Sequence, residues 1–237
     1  MIDSGDTAWV LAASALVLLM TPGLAFFYGG LVRKKNIVST IMYSFVTIGL
    51  VGIVWVLWGY SLAFGNDVGG WNLIGDLGWF GLKDVSANEP GPYSDTIPHQ
   101  AFMIFQAMFA IITPALVTGA FAERMKFSAL CIFIVLWVTI VYAPLAHWVW
   151  GGGWLGAMDK IDLPAAADYA GSGVVHAVGG FVALAGAAVV GPRIGKFNAD
   201  GSANVISGHN VGYVVIGTFI LFFGWFGFNI NTGDSIG

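Results

Sequence analysis

Residues 50–57 read LVGIVWVL, an unbroken apolar run inside a longer segment, Asn36 to Asn66, that contains no Asp, Glu, Lys or Arg. A strand of a membrane barrel would alternate polar and apolar residues over about 10 positions, so the continuous run favours a helix. A segment of this length can cross about 30 Å of hydrocarbon as a helix. The segment therefore predicts a membrane-spanning helix.

Five more charge-free segments, each longer than 20 residues, occur along the chain. Together the six segments predict helices at about 8–32, 37–65, 99–122, 127–150, 170–191 and 209–231. The composition agrees, because only 9% of the residues are charged, against about 25% in soluble domains. We therefore expect an all-α, polytopic integral membrane helix bundle, folded as a single transmembrane domain over residues 1–237.

Several functional classes are excluded by the same composition. One cysteine excludes an intrachain disulfide framework and a Cys-rich metal site. A net charge of -4 gives no support to nucleic-acid binding. The sequence contains no Ser/His/Asp arrangement outside the membrane, no phosphate-binding glycine loop followed by lysine and no paired metal-ligand histidines. It therefore predicts a protein that is not an enzyme and that holds no cofactor or metal.

The basic residues predict the orientation of the bundle. Seven of the nine Lys and Arg residues follow the first, third or fifth helix: Arg33, Lys34, Lys35, Arg124, Lys126, Arg193 and Lys196. Since basic loops stay in the cytoplasm, we expect a multi-pass plasma-membrane protein with its N-terminus outside. The chain stops at Gly237, directly after a helix, and both a natural end and a longer protein remain open at this stage.

Ionisable side chains within the apolar segments are the first functional candidates. His176 lies eight residues after Asp168, which places it about 12 Å deeper along a helix. An intramembrane imidazole either packs in the core or lines a pathway, and position alone leaves both readings open. Asp168 could cap the fifth helix, stabilise a cation near its mouth, or do both. His99 and His147 are expected at the interface, and His209 is expected to be a cap or a mouth residue.

Aromatic and small residues give two further expectations. Phe105 and Phe109 are four residues apart and share a helix face. Trp150 precedes three glycines and could anchor the interface or hold a small cation, an interaction worth roughly 0.5–2 kcal/mol. Gly119 and Gly180 are expected to let neighbouring helices approach closely.

Six motifs follow one another along the chain: PGLAFFYGG at 22–30, FQAMFAIIT at 105–113, GAFAER at 119–124, HWVWGGG at 147–153, DYAGSGVVH at 168–176 and FGWFGFN at 223–229. With these motifs in this order, the sequence resembles the ammonium transporter (Amt/Mep/Rh) family, closest to its Amt branch. Each motif alone would be weak, but six in order are specific. The resemblance covers essentially the whole chain and implies ammonium or ammonia transport, with methylammonium as a further substrate.

The resemblance implies roles for individual residues. Trp150 and Phe105 would line an outer ammonium-recruitment site, and Asp168 would stabilise the cation and support its deprotonation. The family commonly places a serine hydroxyl at that site after residue 229. Here the run reads Ile230, Asn231 and Thr232, so Thr232 is the candidate hydroxyl.

The inner part of the path is implied in the same way. Phe109 and Phe228 would form a stacked aromatic gate, and His176 would be one of two histidines that line a hydrophobic ammonia pore. The second histidine would lie on a later helix.

Family members usually have eleven helices, arranged as two inverted five-helix repeats and one more. The present chain would supply the first repeat and the opening helix of the second. The resemblance also implies a homotrimer with one pore per subunit and a cytoplasmic PII-type regulator. Two alternatives remain open from the sequence: an ammonium sensor or receptor on the same fold, suggested by the altered run 230–232, and a non-conducting structural membrane subunit, suggested by the missing second repeat.

Overall fold

The computed structural model describes residues 1–229, apart from the side chain of Ile161, and six long apolar helices account for most of them. The helices are α1 Ser4–Leu31, α2 Lys34–Phe64, α3 His99–Phe121, α4 Phe127–Val149, α5 Ser172–Val190 and α6 Val211–Asn229. Each has the length and hydropathy needed to cross a membrane. The predicted all-α membrane bundle is therefore confirmed. The candidate hydroxyl of Thr232 lies outside the described residues.

Side-chain caps fix the start of two helices at positions that the apolar pattern did not indicate. A carboxylate oxygen of Asp3 accepts a hydrogen bond from the N–H of Asp6 at 2.9 Å, so α1 begins before residue 8. At the start of α6, Asn210 Oδ1 accepts the N–H of Tyr213 at 3.1 Å. The cap is thus Asn210, whereas Nδ1 of the neighbouring His209 lies 3.1 Å from the carbonyl oxygen of Val32.

Three helices contain one widened π turn each. These turns are Trp55–Gly59 in α2, Val138–Tyr142 in α4 and Ser172–Ala177 at the start of α5. A π turn inserts one residue into the helical ladder and changes which side chains face a neighbour, which is why such turns are frequent at functional sites. The turn in α5 includes His176.

Helix α3 is the centre of the bundle. It contacts α1, α2 and α5, and 89% of its most apolar window is buried. Polar side chains of the surrounding helices reach its backbone: the Tyr28 hydroxyl donates to the carbonyl of Leu116 at 2.8 Å, and Trp55 Nε1 donates to that of Met103 at 3.3 Å. The position of α3 is therefore fixed by both packing and hydrogen bonds.

Helices α1 and α6 approach each other through glycines. A Cβ atom at Gly217 would lie 2.4 Å from the backbone nitrogen of Phe27, and one at Gly224 would collide with the side chain of Met20. No larger residue fits either position without a shift of the backbone. Small residues at a helix crossing allow this close contact in a membrane, where packing replaces the hydrophobic effect.

The loops gather at two ends of the bundle. The acidic end consists of residues 65–98 and 150–171, and the basic end consists of residues 32–36, 122–126 and 191–210. At the acidic end, β1 Pro90–Gly91 pairs in antiparallel fashion with β2 Ser94–Pro98.

Hydrogen bonds tie this hairpin to the helices. The backbone N–H of Asp3 donates to Thr96 O at 2.8 Å, and the Tyr93 hydroxyl donates to Phe64 O at 2.7 Å and Gly151 O at 3.2 Å. Burial raises the pKa of Tyr93 to about 12, so its hydroxyl remains a donor. The loops after α2 and α4 are consequently joined into one rim around the start of α5.

Candidate functional site

Asp168 caps the first turn of α5. Its side chain is nearly buried, with 8% of the residue exposed. A single carboxylate oxygen, Oδ2, accepts the backbone N–H groups of Gly173 at 3.0 Å and Val174 at 2.7 Å. Among the described residues, the other oxygen, Oδ1, accepts only from the Ser172 hydroxyl, at 3.4 Å. The capping role that the sequence suggested is present, and it leaves one oxygen weakly occupied.

Two glycines make this turn possible. Gly171 adopts φ +74°, a left-handed conformation that side chains rarely tolerate, and a Cβ there would lie 2.7 Å from the Val175 side chain. A Cβ on Gly173 would come within 3.0 Å of Asp168 Oδ2. The GSG sequence after Asp168 therefore brings the backbone N–H groups against the carboxylate.

Three phenylalanines meet edge to face beside this turn. The ring centroids of Phe105 and Phe109 are 4.8 Å apart at an interplanar angle of 89°, and those of Phe109 and Phe228 have the same separation and angle. All three residues are buried. Phe109 of α3 thus touches Phe105 on its own helix and Phe228 at the end of α6.

Trp150 contacts Phe109 at one end of this group of rings, and His176 contacts Phe228 at the other end. The Trp150 ring lies 6.2 Å from that of Phe109, and the imidazole of His176 stacks on Phe228 at 5.4 Å with an interplanar angle of 29°. We call Trp150, Phe109, Phe228 and His176 the aromatic line. It runs from the acidic end into the spanning part of α5, and it joins residues from α3, α5 and α6.

One side of the line is open. His176 is exposed, as are several large apolar side chains of α5 and α6. They are Phe181, Leu184, Val189, Phe219, Phe222 and Phe223. The described residues of α5 and α6 therefore present an open face that carries an imidazole and a set of apolar side chains.

Two buried polar groups near the bundle centre have no role predicted from the sequence. Gln106 is buried next to the phenylalanines and its Oε1 has no hydrogen-bond partner among the described residues. The hydroxyl of Tyr142 is likewise buried and unpartnered there. An unpaired buried polar atom costs about 1–3 kcal/mol, so each marks a place that needs an explanation. The only sequence signal was a polar residue inside an otherwise apolar segment.

The two histidines expected at the interface lie at the ends of α3 and α4, where the protein buries them. His147 is 1% exposed, with Nδ1 3.1 Å from the Ala63 carbonyl oxygen and Nε2 3.5 Å from Asp67 Oδ1. His99 is buried against Tyr60, whose hydroxyl lies 2.7 Å from its Nε2. The acidic-end rim covers both residues, and the sequence could not show that the loops fold back over the helix ends.

Asp67 is held as a carboxylate by its surroundings. Burial would raise the pKa of Asp67, but hydrogen bonds from the backbone of Asn72 and Leu73 and the facing His147 lower it below its usual range. Within residues 1–229, no group of three or more His, Cys, Asp or Glu side chains is arranged to hold a metal ion.

A second polar cluster lies at the basic end. The Glu123 side chain is fully buried and accepts hydrogen bonds from the backbone N–H of Arg33 at 2.9 Å, Arg33 Nε at 3.0 Å, Asn36 Nδ2 at 2.7 Å and Arg193 Nη1 at 3.0 Å. Burial would raise the pKa of Glu123, but these bonds outweigh it and lower the pKa to about 2. One carboxylate therefore joins the three basic-end loops.

Comparison with known proteins identifies relatives over nearly the whole chain. A sequence model of the Ammonium Transporter Family matches residues 8–236. An ammonium transporter of Bacillus subtilis is 51% identical over 234 residues, which are 98% of this chain and 53% of that protein. Ammonium transporter Amt1 of Archaeoglobus fulgidus is 42% identical over 227 residues, covering 96% of this chain and 52% of that protein.

Solved structures agree with the sequence comparison. Mep2 of Candida albicans superimposes with a TM-score of 0.82 at 37% identity, covering 96% of this chain and 48% of that one. A structure described as "Sensor Amt Protein" gives a TM-score of 0.81 at 36% identity, covering 94% of this chain and 53% of that one. The chain thus spans about half the length of the relatives that it matches.

Proposed function

Because this chain belongs to the ammonium transporter family, we propose that it forms one wall of a path that moves ammonium, as ammonia, across the plasma membrane. The observation that carries the proposal is the aromatic line, which connects Trp150 at the acidic end to His176 within the span. The relatives named above are transporters rather than enzymes.

The outer end of the line has the chemistry to recruit a small cation. The ring face of Trp150 attracts a cation by roughly 0.5–2 kcal/mol, and Phe105 contributes a second ring next to Phe109. In our proposal the Thr232 hydroxyl completes this site. The net acidic character of the loops at this end draws cations toward it. This end would face the outside, and the N-terminus with it.

The deprotonation step is proposed because moving a charged ion into the hydrocarbon of the membrane costs a large free energy. A bare ammonium ion in hydrocarbon is prohibitively expensive, whereas ammonia is small and neutral. We assign Asp168 to stabilise the cation beside the aromatic rings and to support loss of its proton, since Oδ1 is nearly free of protein donors. The step transfers H⁺ from NH₄⁺ to a base at the site and leaves NH₃.

Ammonia then passes the gate and the histidine. Phe109 and Phe228 meet edge to face and not stacked as expected, and in our proposal ammonia passes when one of the two rings moves. Beyond them, neutral His176 offers one donor and one acceptor to ammonia in an otherwise apolar wall. The stack of His176 on Phe228 couples the position of the imidazole to the gate.

The open face of α5 and α6 is available for a further group of helices to pack against. We propose that a second, inverted helical repeat covers it and supplies the other pore histidine, in line with the half-length match to the relatives. Three such subunits would form the trimer, and the basic end would lie in the cytoplasm, where a PII-type regulator would bind.

The test is transport by the purified protein in liposomes, measured as ammonium-dependent current and methylammonium uptake. We expect His176→Ala to lose at least tenfold in rate, since one missing hydrogen bond of about 1.4 kcal/mol gives that factor. Ile53→Ala is the control, because Ile53 is likewise exposed but lies on α2, outside both the aromatic line and the open face of α5 and α6. Full activity of His176→Ala would refute the assignment.

A second candidate is an ammonium sensor, favoured by the match to the structure described as "Sensor Amt Protein". A sensor would bind ammonium at the same outer site without conducting it. Binding of ammonium without current or uptake in the liposome assay would select the sensor, and uptake by the unmodified protein would select the transporter.

A further inference from the structure

An open cavity of about 540 Å³ lies at the basic end, between α1, α3 and α5. The spanning helices line it with aromatic, aliphatic and small side chains, and the loops contribute three cationic side chains. The residues concerned are Tyr28, Leu116, Ala183, Arg124, Arg193 and Lys196. Its wall contains no acidic residue among the described part of the chain. A cleft lined by charges of one sign focuses their field and concentrates ions of the opposite sign.

The nearest carboxylate does not neutralise this charge. Glu123 is shared between Arg33 and Arg193, so the three side chains together keep one net positive charge. Arg124 and Lys196 have no ion pair among residues 1–229 and add two more. The cavity therefore has a surplus of positive charge next to buried helix surface.

Donors remain available on these cations. Arg124 donates through Nη1 to Gly191 O at 2.8 Å and through Nη2 to Ala120 O, which holds the guanidinium at the end of α3. Its Nε is buried without an acceptor in the described part of the chain. Lys196 Nζ donates to Asn204 O at 3.0 Å and has three hydrogens to give. Arg124 thus combines a buried donor that is unpaired among residues 1–229 with a place in the cavity wall beside two more cations, and an anionic acceptor would suit this set of groups.

We propose that this cavity is a binding site for a phosphate-type oxyanion. Guanidinium groups match the oxygens of phosphate in geometry, and the lysine adds a point charge. The oxyanion has two possible sources, free inorganic phosphate and the phosphate of an anionic lipid headgroup at the membrane surface. The proposal rests on the cavity at the basic end and not on the aromatic line.

The test is calorimetric titration of the protein in non-ionic detergent with inorganic phosphate, in a chloride buffer of fixed ionic strength. We expect Lys196→Gln to weaken phosphate binding about fivefold, because one partly exposed charge contributes up to about 1 kcal/mol. Lys34→Gln is the matched control: it removes the same charge from the same end, but Lys34 is exposed and does not line the cavity. Its affinity for phosphate should match that of the unmodified protein.

Two results would overturn the site: no phosphate binding by the unmodified protein, or equal weakening in both variants, which would reduce the effect to the general field of the basic end. Repeating the titration in nanodiscs identifies the source. If phosphatidylglycerol suppresses phosphate binding relative to phosphatidylcholine, and Lys196→Gln relieves the suppression, the occupant is a lipid headgroup. If phosphate binds equally in both lipids, the occupant is the free oxyanion.

Discussion

Helices α3 and α5 have almost the same hydropathy but very different surroundings. The most apolar window of α3 has a mean hydropathy of 1.9 and is 89% buried, while that of α5 has a mean hydropathy of 2.0 and is 17% buried. Hydropathy reports the cost of exposure to water and does not distinguish a protein neighbour from lipid or an open path. The apolar surface of α3 is used for packing, and that of α5 is available to face something else.

The two helices are nevertheless joined at three levels. Toward the acidic end, Phe228 of α6 lies between Phe109 of α3 and His176 of α5 and touches both. In the middle, Gly179 faces Leu116 of α3, with a hypothetical Cβ 3.7 Å from its Cβ. At the basic end, Glu123 follows α3 and binds Arg193, which follows α5. Substitutions near these three places distinguish the contribution of helix packing to stability from the contribution of the open face to transport.

The largest effect is expected at the start of α5. Since one oxygen of Asp168 accepts both backbone N–H groups, the single amide oxygen of Asp168→Asn can keep the cap while the charge is lost. In our proposal the variant folds normally but transports at least 100-fold more slowly, a typical loss when a positioned proton acceptor is removed. Methylammonium uptake in liposomes and the thermal unfolding midpoint measure the two effects separately.

Asp76→Asn is the control for this experiment. Asp76 also accepts a backbone N–H, that of Gly78 at 2.9 Å, but it lies in the acidic-end loop away from the aromatic line. Its uptake should stay at the level of the unmodified protein. Normal uptake by Asp168→Asn would reduce Asp168 to a structural cap and remove it from the proposed mechanism.

The next largest effect is a loss of stability at the close contact between α1 and α3. A Cβ at Gly119 would lie 2.7 Å from the ring of Tyr28, and that ring is held by a hydrogen bond to Leu116. Gly119→Leu should therefore lower the free energy of unfolding by about 1–3 kcal/mol through overpacking. In α2, a Cβ at Gly49 meets nothing within 4 Å. Gly49→Leu should be neutral or slightly stabilising, because leucine favours a helix more than glycine.

Unfolding in mixed micelles with increasing denaturing detergent measures both variants on one scale. Equal stability of the two variants would contradict the tight contact between α1 and α3. A loss confined to Gly119→Leu would confirm that α3 is the packed centre.

The same contrast shows how far the sequence predicts this fold. Charge-free segments predicted the six helices because the cost of a charge in hydrocarbon is large and local. Gly119 was correctly expected at a close helix contact. Within residues 1–229, nothing lies within 4 Å of the hypothetical Cβ of Gly180, whereas Gly179 and Gly186 face α3. The rotation of α5 about its axis follows from the π turn and from tertiary contacts, which composition does not encode.

Some features of the candidate site were likewise predicted from the sequence, and others were not. The motifs identified Phe105, Phe109, Phe228 and His176 as candidates, and the structure brings them into contact. The burial of His147 under the acidic-end rim could not be predicted, because it depends on a loop that begins about 80 residues earlier in the chain. Long-range loop contacts of this kind leave no periodic signal in the sequence.

The last expected effect concerns Glu123, the link between the ends of α3 and α5. Its pKa is lowered from 4.5 to about 2 in the folded protein. A folded-state pKa below the unfolded value means that the carboxylate stabilises the fold above about pH 4.5, and that this stability is lost as the pH falls toward 2. Glu123→Gln should lower the free energy of unfolding by about 1–3 kcal/mol at pH 7 and flatten its decline in acid.

Thermal unfolding in dodecyl maltoside between pH 7 and pH 3 tests this dependence, with Glu89→Gln as the control. Glu89 is exposed in the acidic-end loop, so its variant should follow the unmodified protein at every pH. An unchanged acid profile in Glu123→Gln would mean that the three basic-end loops are held by packing alone. A loss of stability at pH 7 that shrinks toward pH 3 would show that the ionised carboxylate joins the buried helix α3 to the sparsely packed helix α5.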